Sequence, residues 1–241
     1  MTANVFQRCE KKYIMDQAQY KELKSSLANK TYKDQYGKYT VCNLYLDTED
    51  FRLIRSSIEK PLYKEKIRLR GYGVPQQNDM VYLEVKKKFD GVVFKRRAPI
   101  RLSQAEKYLC EGTLPEEDGQ IISEIAWSLN FYGHPVPKVY IAYDRIALCG
   151  LEDQGFRITF DTNIRWRDEA LSLSKGAWGK PLLEEGLVLM EIKTLGAMPL
   201  WLSRELSLLK IFPTAYSKYG NCYIEYLSNS VTLGKGELIS A

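Results

Sequence analysis

The sequence lacks any hydrophobic run that could form a transmembrane helix, because none approaches the roughly 18 apolar residues that a bilayer requires. The first residues, Met1–Phe6, contain no apolar core of the kind found in secretory signals. Low-complexity tracts, internal repeats and linker-like segments are also missing. These absences predict one soluble, cytoplasmic domain, residues 1–241, with no membrane insertion in this chain.

Side chains suited to redox or nucleophilic chemistry are scarce. The five cysteines form no Cys-x-x-Cys pair, which predicts free thiols in a reducing compartment. The only histidine, His134, lies in a turn-like Tyr-Gly-His-Pro segment, and we expect no phosphohistidine intermediate from it.

The overall composition does not by itself indicate which molecules the protein binds. The chain is 45% hydrophobic and 27% charged, which is typical of a globular domain with a sizeable core. The formal net charge of +5 is too mild a bias to indicate nucleic-acid binding. The placement of charge along the strands is therefore more informative than its total.

Two-residue alternation, together with β-branched and aromatic residues, predicts eight strands. These strands are Phe6–Tyr13, Tyr39–Asp47, Leu62–Tyr72, Asp79–Lys88, Val92–Arg101, Val136–Leu148, Phe156–Arg167 and Leu187–Thr194. Six helices are predicted at Asp16–Ala28, Asp50–Glu59, Ser103–Cys110, Gly119–Tyr132, Pro199–Leu208 and Ser217–Leu227.

Short connections indicate that several of these strands are antiparallel neighbours. Asp90-Gly91 is a strong hairpin signal, and Gly73–Asn78 and Gly150–Gly155 are turn-like segments between strands. Eight antiparallel strands are enough to close a barrel and remove exposed edges. We therefore predict an α+β fold built on a closed, eight-stranded antiparallel β-barrel.

One face of the predicted strands is strongly charged. Because side chains alternate across a strand, the third strand presents four cations on one face. These are Lys64, Lys66, Arg68 and Arg70. Similar faces recur on the other strands, where arginine and lysine outnumber carboxylates. Two like charges about 4 Å apart repel by roughly 4 kcal/mol at an effective dielectric of about 20, so this face calls for an anion.

Two arrangements fit this pattern: the charged face is either convex and solvated, or it lines the lumen of the barrel. The amphipathic helices need an apolar surface on which to dock, and the apolar strand faces provide it. This favours a charged lumen with helices packed on the outside. Such a lumen would be a tunnel suited to a long, flexible polyanion, and nucleic acid is not expected because no recognition helix or aromatic strand motif is present.

An ordered set of short motifs resembles a known family. The motifs are Arg8-Cys-Glu-Lys-Lys-Tyr13, Tyr45-Leu-Asp-Thr48, Lys66-Ile-Arg-Leu-Arg70, Leu83-Glu-Val-Lys86, Lys95-Arg-Arg97, Tyr143-Asp-Arg145, Arg157-Ile-Thr159, Met190-Glu-Ile-Lys193 and Ser217-Lys-Tyr219. In this order they resemble the VTC domain, the polyphosphate polymerase branch of the triphosphate tunnel metalloenzyme (CYTH-like) superfamily. The resemblance implies an eight-stranded tunnel, in agreement with the strand count.

The resemblance also implies a set of site residues. Those assigned to catalytic charge stabilisation are Arg68, Arg70, Lys86, Arg145, Arg157 and Lys193. Those assigned to phosphate binding are Lys12, Lys66, Lys95, Arg97, Tyr143, Ser217 and Lys218, with Tyr143 and Ser217 as supporting hydrogen-bond donors. Glu191 matches the metal-binding glutamate of the family, which presents Mn²⁺ or Mg²⁺ to the triphosphate.

The first motif departs from the wider superfamily, whose tunnel hydrolases usually begin with Glu-x-Glu-x-Lys. Arg8 stands at the first position here, which favours phosphate-chain binding over a two-metal hydrolytic site. Glu10 and Glu84 are left with two roles: each either helps to hold the metal or pairs with a neighbouring cation.

The implied activity is metal-dependent transfer of the γ-phosphate of ATP to a growing inorganic polyphosphate chain. Two alternatives remain open, namely a tunnel triphosphatase that hydrolyses inorganic or nucleoside triphosphate, and a non-catalytic polyphosphate-binding module. Coupling of synthesis to transport would require a separate membrane partner, because larger relatives carry membrane segments that this sequence lacks.

Overall fold

The structure, a computed structural model, describes residues 8–90, 92–112, 119–153 and 155–228. Ten strands occur in these ranges: β1 Arg8–Met15, β2 Thr31–Asp47, β3 Tyr63–Tyr72, β4 Met80–Phe89, β5 Val92–Arg101, β6 Val136–Gly150, β7 Arg157–Arg167, β8 Lys180–Pro181, β9 Val188–Leu195 and β10 Pro213–Thr214. Six α-helices occur in them: α1 Gln17–Leu27, α2 Arg52–Ile58, α3 Leu102–Glu111, α4 Gln120–Phe131, α5 Leu200–Leu208 and α6 Lys218–Cys222.

The predicted strands and helices are present, with shifts of one to a few residues at most boundaries. Residues 6–7, which the prediction included in the first strand, lie outside the described residues, as does Gly91 of the predicted hairpin. The largest boundary difference is β2, which begins at Thr31 rather than at Tyr39. The last predicted helix is α6 followed by a π-helical turn, Tyr223–Leu227.

The strands follow the hydrogen-bonded order β10-β1-β9-β7-β6-β2-β3-β4-β5, with β8 beside β7. This confirms the predicted α+β fold with an antiparallel sheet. The predicted closure of the barrel is wrong. In the described residues no pairing joins β5 to β10, so the sheet is open. One terminal strand, β10, is only two residues long and begins with Pro213, which has no N–H to extend a ladder.

The residues group into two compact units. The first unit comprises the residues up to Tyr39, Tyr143–Ile164 and Leu183–Tyr216. The second unit comprises Thr40–Ala142, Arg165–Leu182 and the residues from Ser217 onward. The assignment of residues 1–241 to a single domain stays a prediction.

In the first unit, the apolar sheet face packs against helices α1 and α5. Alternate residues of β9, Val188, Met190 and Ile192, point into this core and are almost fully buried. Helix α1 contributes Leu23 and Leu27, one turn apart on the same helix face. The other face of β9 is thereby left for the polar residues at the alternate positions.

In the second unit, strands β3, β4 and β5 bury their apolar faces against helices α3 and α4. Ile67 and Leu69 of β3 and Val85 of β4 belong to this core, together with Tyr108 and Leu129 of the helices. The prediction that helices cover the apolar strand faces is therefore confirmed in each unit. The cationic positions of β3 lie on the opposite face.

All five cysteines are free thiols, as predicted, and Cys42 and Cys222 are buried. Within the described ranges, none of the helices combines the length and the apolar character needed to cross a bilayer.

Candidate phosphate-binding site

The second unit holds a buried carboxylate surrounded by four cations, here called the Glu84 cluster. It consists of Glu84, Arg68, Arg70, Lys95 and Arg97. The Glu84 side chain is 1% exposed, and Arg68 Nη2 and Arg70 Nε lie 2.7 and 3.7 Å from its Oε2. Lys95 Nζ and Arg97 Nε lie 2.7 and 3.5 Å from its Oε1. Four positive charges therefore converge on one negative charge.

Strand register explains this convergence. Glu84 of β4 is the Cα partner of Arg68 on β3 and of Arg97 on β5, so all three side chains lie on the same face of the sheet. Burial alone would raise the pKa of Glu84, but the charges of Arg68, Arg70 and Lys95 outweigh it and lower the pKa to about 2. Glu84 is consequently ionised at neutral pH and holds the cations in place.

Polar partners behind the cluster fix the arginine orientations. Arg70 Nε donates to Asn43 Oδ1 at 3.0 Å, and Asn43 Nδ2 in turn donates to the backbone oxygen of Ile141 at 3.1 Å. Arg97 lies over the ring of Tyr82, with its guanidinium carbon 3.5 Å from the ring centroid. These side chains are therefore preorganised by packing and hydrogen bonding.

A second set of contacts holds Arg68 in position, and it runs through two stacked tyrosines. Arg68 Nη1 donates to the Tyr45 hydroxyl at 3.3 Å, and the Tyr45 ring stacks on Tyr219 with centroids 4.7 Å apart. The Tyr219 hydroxyl donates to Asp47 Oδ2 at 2.9 Å. Asp47 also accepts backbone N–H bonds from Leu53 and other residues at the start of α2. This chain links the cationic face to a helix N-terminus.

Lys66 and Ser217, two of the predicted phosphate-binding residues, contact each other in the second unit. Lys66 Nζ donates to Ser217 Oγ at 2.9 Å. Ser217 is the N-cap of α6, and its Oγ also accepts the backbone N–H of Gly220 at 3.1 Å. The serine hydroxyl thus connects a strand cation to the turn that begins with Lys218.

The first unit contains a group of charged residues that is here called the Glu191 cluster. It consists of Glu191, Lys193, Lys12, Arg145 and Asp161. Glu191 is the Cα partner of Lys12 across β1 and β9, and it forms a close ion pair with Lys193. Burial would raise the pKa of Glu191, but Lys193, Lys12 and Arg145 outweigh it and lower the pKa to about 2. The carboxylate is therefore charged at neutral pH.

Asp161 orients the arginine of this cluster. Arg145 Nε and Nη2 donate to the two carboxylate oxygens of Asp161 at 2.6 and 2.8 Å, and Asp161 is 1% exposed. The guanidinium carbon lies 5.0 Å from the centroid of the Tyr143 ring. Burial opposes the charge of Arg145, but Tyr143, Asp161 and Glu191 raise its pKa above the ordinary value. A bidentate pair of this kind fixes both the position and the plane of the guanidinium.

Two further residues of β7 lie beside this cluster. Arg157 is the Cα partner of Lys193, and its Nη2 lies 3.2 Å from Asp34 Oδ2. Thr159 is the Cα partner of Glu191, and its buried hydroxyl has no hydrogen-bond partner among the residues that the structure describes. A buried hydroxyl next to a charged carboxylate adds an oxygen donor to this position.

The donors at Glu191 are compatible with Mg²⁺ or Mn²⁺. These hard cations bind oxygen, and Mg²⁺ commonly uses one or two carboxylates together with substrate phosphates and water. Glu191 supplies an ionised carboxylate, and the Thr159 hydroxyl is adjacent to it in register. In the part of the chain that the structure describes, no three His, Cys, Asp or Glu side chains are grouped closely enough to form a metal site on their own.

The structure brings most predicted site residues together within one unit or the other. The Glu84 cluster and the Lys66–Ser217 contact belong to the second unit, as does Lys86, the Cα partner of both Lys66 and Lys95. The Glu191 cluster belongs to the first unit, together with Tyr143, Arg157 and Glu10, whose Oε1 lies 3.9 Å from Lys12 Nζ. Of the two roles left open for Glu84, ion pairing is the one that the geometry shows.

Sequence reasoning assigned no role to the residues that hold the site in place, although Tyr45 and Asp47 lie in one of the family motifs. They are Asp34, Asn43, Tyr45, Asp47 and Asp161. Asp161 does lie on the polar face of the alternating β7 pattern, and this was the only available signal for it. Whether Asp161 pairs with Arg145 depends on how strands β6 and β7 are placed beside each other. The sequence does not specify that placement.

Two solved structures resemble the chain over most of its length. A candidate adenylate cyclase from Bacillus halodurans has a TM-score of 0.52 at 13% sequence identity, covering 90% of this chain and 96% of that protein. A candidate adenylate cyclase from Vibrio parahaemolyticus has a TM-score of 0.46 at 11% identity, covering 89% and 96%. At 13% identity, the similarity to the Bacillus halodurans structure shows only the fold. That fold is the tunnel (CYTH-like) fold.

The sequence identifies the family within this fold. Residues 7–226 match the VTC domain, and the chain therefore belongs to the VTC domain family. No protein of curated function matches the chain. The family is one of tunnel-fold, triphosphate-binding enzymes that are generally metal-dependent.

Proposed function

We propose that the protein transfers the γ-phosphoryl group of ATP to the end of an inorganic polyphosphate chain. The observation that carries this proposal is the Glu84 cluster, in which four cations surround a single carboxylate. Bringing further negative charge to this group offsets repulsion among the cations. Arginine binds phosphate oxygens in a bidentate manner and lysine acts as a point charge, so the cluster suits a condensed phosphate.

Phosphoryl transfer requires the protein mainly to position the reacting groups and to neutralise their charge. A terminal oxygen of the chain attacks the γ-phosphorus of ATP, and a new P–O bond forms. The bond from the γ-phosphorus to the β,γ-bridging oxygen breaks, and ADP leaves with that electron pair. The cations Arg68 and Arg70 neutralise phosphate charge in one unit, and Arg145 and Lys193 do so in the other.

The Glu191 cluster is the proposed metal-binding and orienting group. Glu191 would hold a divalent cation, which would supply additional neutralisation of phosphate charge. Asp161 holds the Arg145 guanidinium in a fixed plane, and Glu191 remains ionised because its pKa is about 2. The remaining predicted phosphate contacts, including Lys12, Arg157 and Lys218, are proposed on the family resemblance.

Product analysis tests the proposal directly. Purified protein is incubated with ATP and Mn²⁺ or Mg²⁺, and ADP, free phosphate, cyclic AMP and chain products are separated. Glu191→Gln and Arg68→Ala are compared with the exposed-site controls Glu22→Gln and Arg204→Ala. We expect chains and ADP in matched amounts from wild type and controls, with a loss of at least roughly 100-fold in both site variants.

Other products would overturn the proposal in distinguishable ways. Free phosphate without chains would indicate a triphosphatase. Cyclic AMP with pyrophosphate would indicate the reaction named for the structural neighbours. Binding of polyphosphate without turnover would indicate a module that holds its ligand without making it.

A further inference from the structure

Apolar side chains are exposed in the second unit where the chain passes from β4 to β5. Phe89 of β4 is the Cα partner of Val92 on β5 and of Tyr63 on β3, and these three residues are 42–50% exposed. The backbone N–H of Asp90 donates to the backbone oxygen of Leu62 at 2.9 Å, which places Leu62 beside the turn. The group, here called the hairpin tip, consists of Leu62, Tyr63, Phe89, Val92, Val93 and Phe94.

The contacts between helix α4 and these strands lie before the hairpin tip. Glu124 of α4 forms a close ion pair with Arg96 of β5. The Trp127 ring of α4 lies over Lys87 of β4, with Lys87 Nζ 5.2 Å from the ring centroid. Trp127 is itself exposed, as is Phe94, the Cα partner of Lys87. The apolar surface of the hairpin tip therefore continues onto the helix.

The hairpin tip exposes apolar side chains on both faces of the sheet. Because side chains alternate along a strand, Val93 and Phe94 lie on opposite faces, and both are about half exposed. A groove on a partner protein would cover one face of such a two-stranded ribbon. A lipid layer would surround the end of the ribbon on both faces, so the exposure pattern favours a lipid surface.

The β4–β5 hairpin is also strongly basic. Residues 80–101 contain seven arginine and lysine residues against two carboxylates, a net charge of +5 that equals the formal net charge of the whole chain. A basic surface is attracted to anionic lipid headgroups. The same charge disfavours a second copy of the chain as the occupant, because that contact would bring two basic hairpins together.

We propose that the hairpin tip docks the protein on an anionic lipid bilayer, with its apolar side chains in the headgroup layer. From Lys87 to Phe89 the strand advances about 7 Å, which falls within the roughly 5–10 Å that the apolar face of a peripheral segment enters. Lys87 and Trp127 would then lie at headgroup level, where lysine and tryptophan side chains are favoured. The hairpin tip would not cross the bilayer.

Flotation of the purified protein with lipid vesicles tests this proposal. The vesicles contain either phosphatidylcholine alone or an equal mixture of phosphatidylcholine and phosphatidylglycerol. Phe89→Ser/Phe94→Ser is compared with Leu200→Ser/Leu208→Ser, which changes two leucines of α5 that are 75% and 76% exposed. We expect wild type and this control to float with the mixed vesicles, and the tip variant to bind them at least about tenfold more weakly. Wild type should bind phosphatidylcholine alone at least about tenfold more weakly than the mixture.

A second measurement leaves the apolar residues of the hairpin tip unchanged. Lipids brominated near the headgroup quench the fluorescence of tryptophans that they contact. We expect mixed vesicles containing such lipids to quench wild-type fluorescence, and Trp127→Phe to lose most of that quenching. Unchanged quenching in Trp127→Phe would overturn the proposed orientation on the bilayer.

The other outcomes that would overturn the proposal have distinct causes. Equal flotation of wild type and the tip variant would remove the hairpin tip as the docking surface, and a wild type that floats with neither vesicle would remove docking altogether. Release of wild type by tripolyphosphate, but not by sodium chloride of equal ionic strength, would show that the predicted phosphate ligands hold the headgroups. A dimer that the tip variant abolishes, without flotation, would assign the hairpin tip to contact between copies. The proposed phosphoryl transfer is tested without vesicles, so its outcome is independent of these results.

Discussion

Arg68 and Glu84 face each other across β3 and β4, and two nitrogens of the arginine lie close to the same carboxylate oxygen. Arg68 Nε and Nη2 lie 2.8 and 2.7 Å from Glu84 Oε2. The carboxylate is 1% exposed, so water contributes little to its solvation. Glu84 is therefore the fixed counter-ion of a group of cations that would otherwise repel one another.

We expect Glu84→Gln to destabilise the protein in the absence of phosphate. Removing one partner of a buried ion pair leaves uncompensated charge and typically costs about 3–5 kcal/mol. Urea unfolding at pH 7 measures the free energy of unfolding of both proteins. Glu111→Gln is the matched control, because Glu111 is 57% exposed and pairs only at the surface with Lys107, 3.9 Å away.

Added anion should restore part of the lost stability. Tripolyphosphate binds the folded state and raises its stability by mass action, and the variant has one negative charge fewer within the cluster. The increase in free energy of unfolding should therefore be larger for Glu84→Gln than for wild type. A variant as stable as the Glu111 control, or insensitive to tripolyphosphate, would contradict the assigned role of Glu84.

Acid should destabilise the protein through Glu84 and Glu191. Their folded pKa values are about 2, below the ordinary value of 4.5, so their stabilising contribution is fully present above about pH 4.5. It is lost as pH falls from 4.5 toward 2, by roughly 3 kcal/mol for each group. Urea unfolding between pH 7 and pH 3 measures the part of this loss that falls in that range, roughly 2 kcal/mol for each group. Glu84→Gln should show a flatter profile, and an unchanged profile would show that Glu84 does not contribute.

The alternation of residue types predicted the strands and their charged faces well. In β7, Ile158, Phe160 and Ile164 are buried, as the two-residue period requires. The start of β2 was missed because residues 31–38 are polar and do not alternate. β8 and β10 were missed because two residues are too few to carry a period.

The candidate site was predictable as a set of residue types but not as a set of contacts. The family resemblance predicted Arg68 and Lys95 as phosphate ligands, whereas the position of Glu84 between them depends on the register of three strands. A one-residue slip would move every side chain to the other face. Likewise, Asp47 and Tyr219 are 172 residues apart, and only the fold brings them together.

We expect Tyr219→Phe to lower stability moderately. The change removes the hydroxyl that donates to Asp47 Oδ2 at 2.9 Å but keeps the ring that stacks on Tyr45. Loss of one hydrogen bond to a buried, charged acceptor costs about 1–3 kcal/mol. Urea unfolding measures this cost, with Tyr226→Phe as control because Tyr226 is 44% exposed. Equal stability of the two variants would show that the Asp47 contact is dispensable.

We expect Asp161→Asn to weaken triphosphate binding by acting through Arg145. Asparagine has the shape of aspartate but accepts only through one oxygen, so the bidentate pair of 2.6 and 2.8 Å contacts is lost. A misoriented arginine should raise the KM for ATP by about tenfold, with a smaller change in kcat. Steady-state kinetics measures both, and Asp153→Asn, an exposed site in the same unit, is the control. Unchanged KM with reduced stability alone would show that Asp161 has only a structural role.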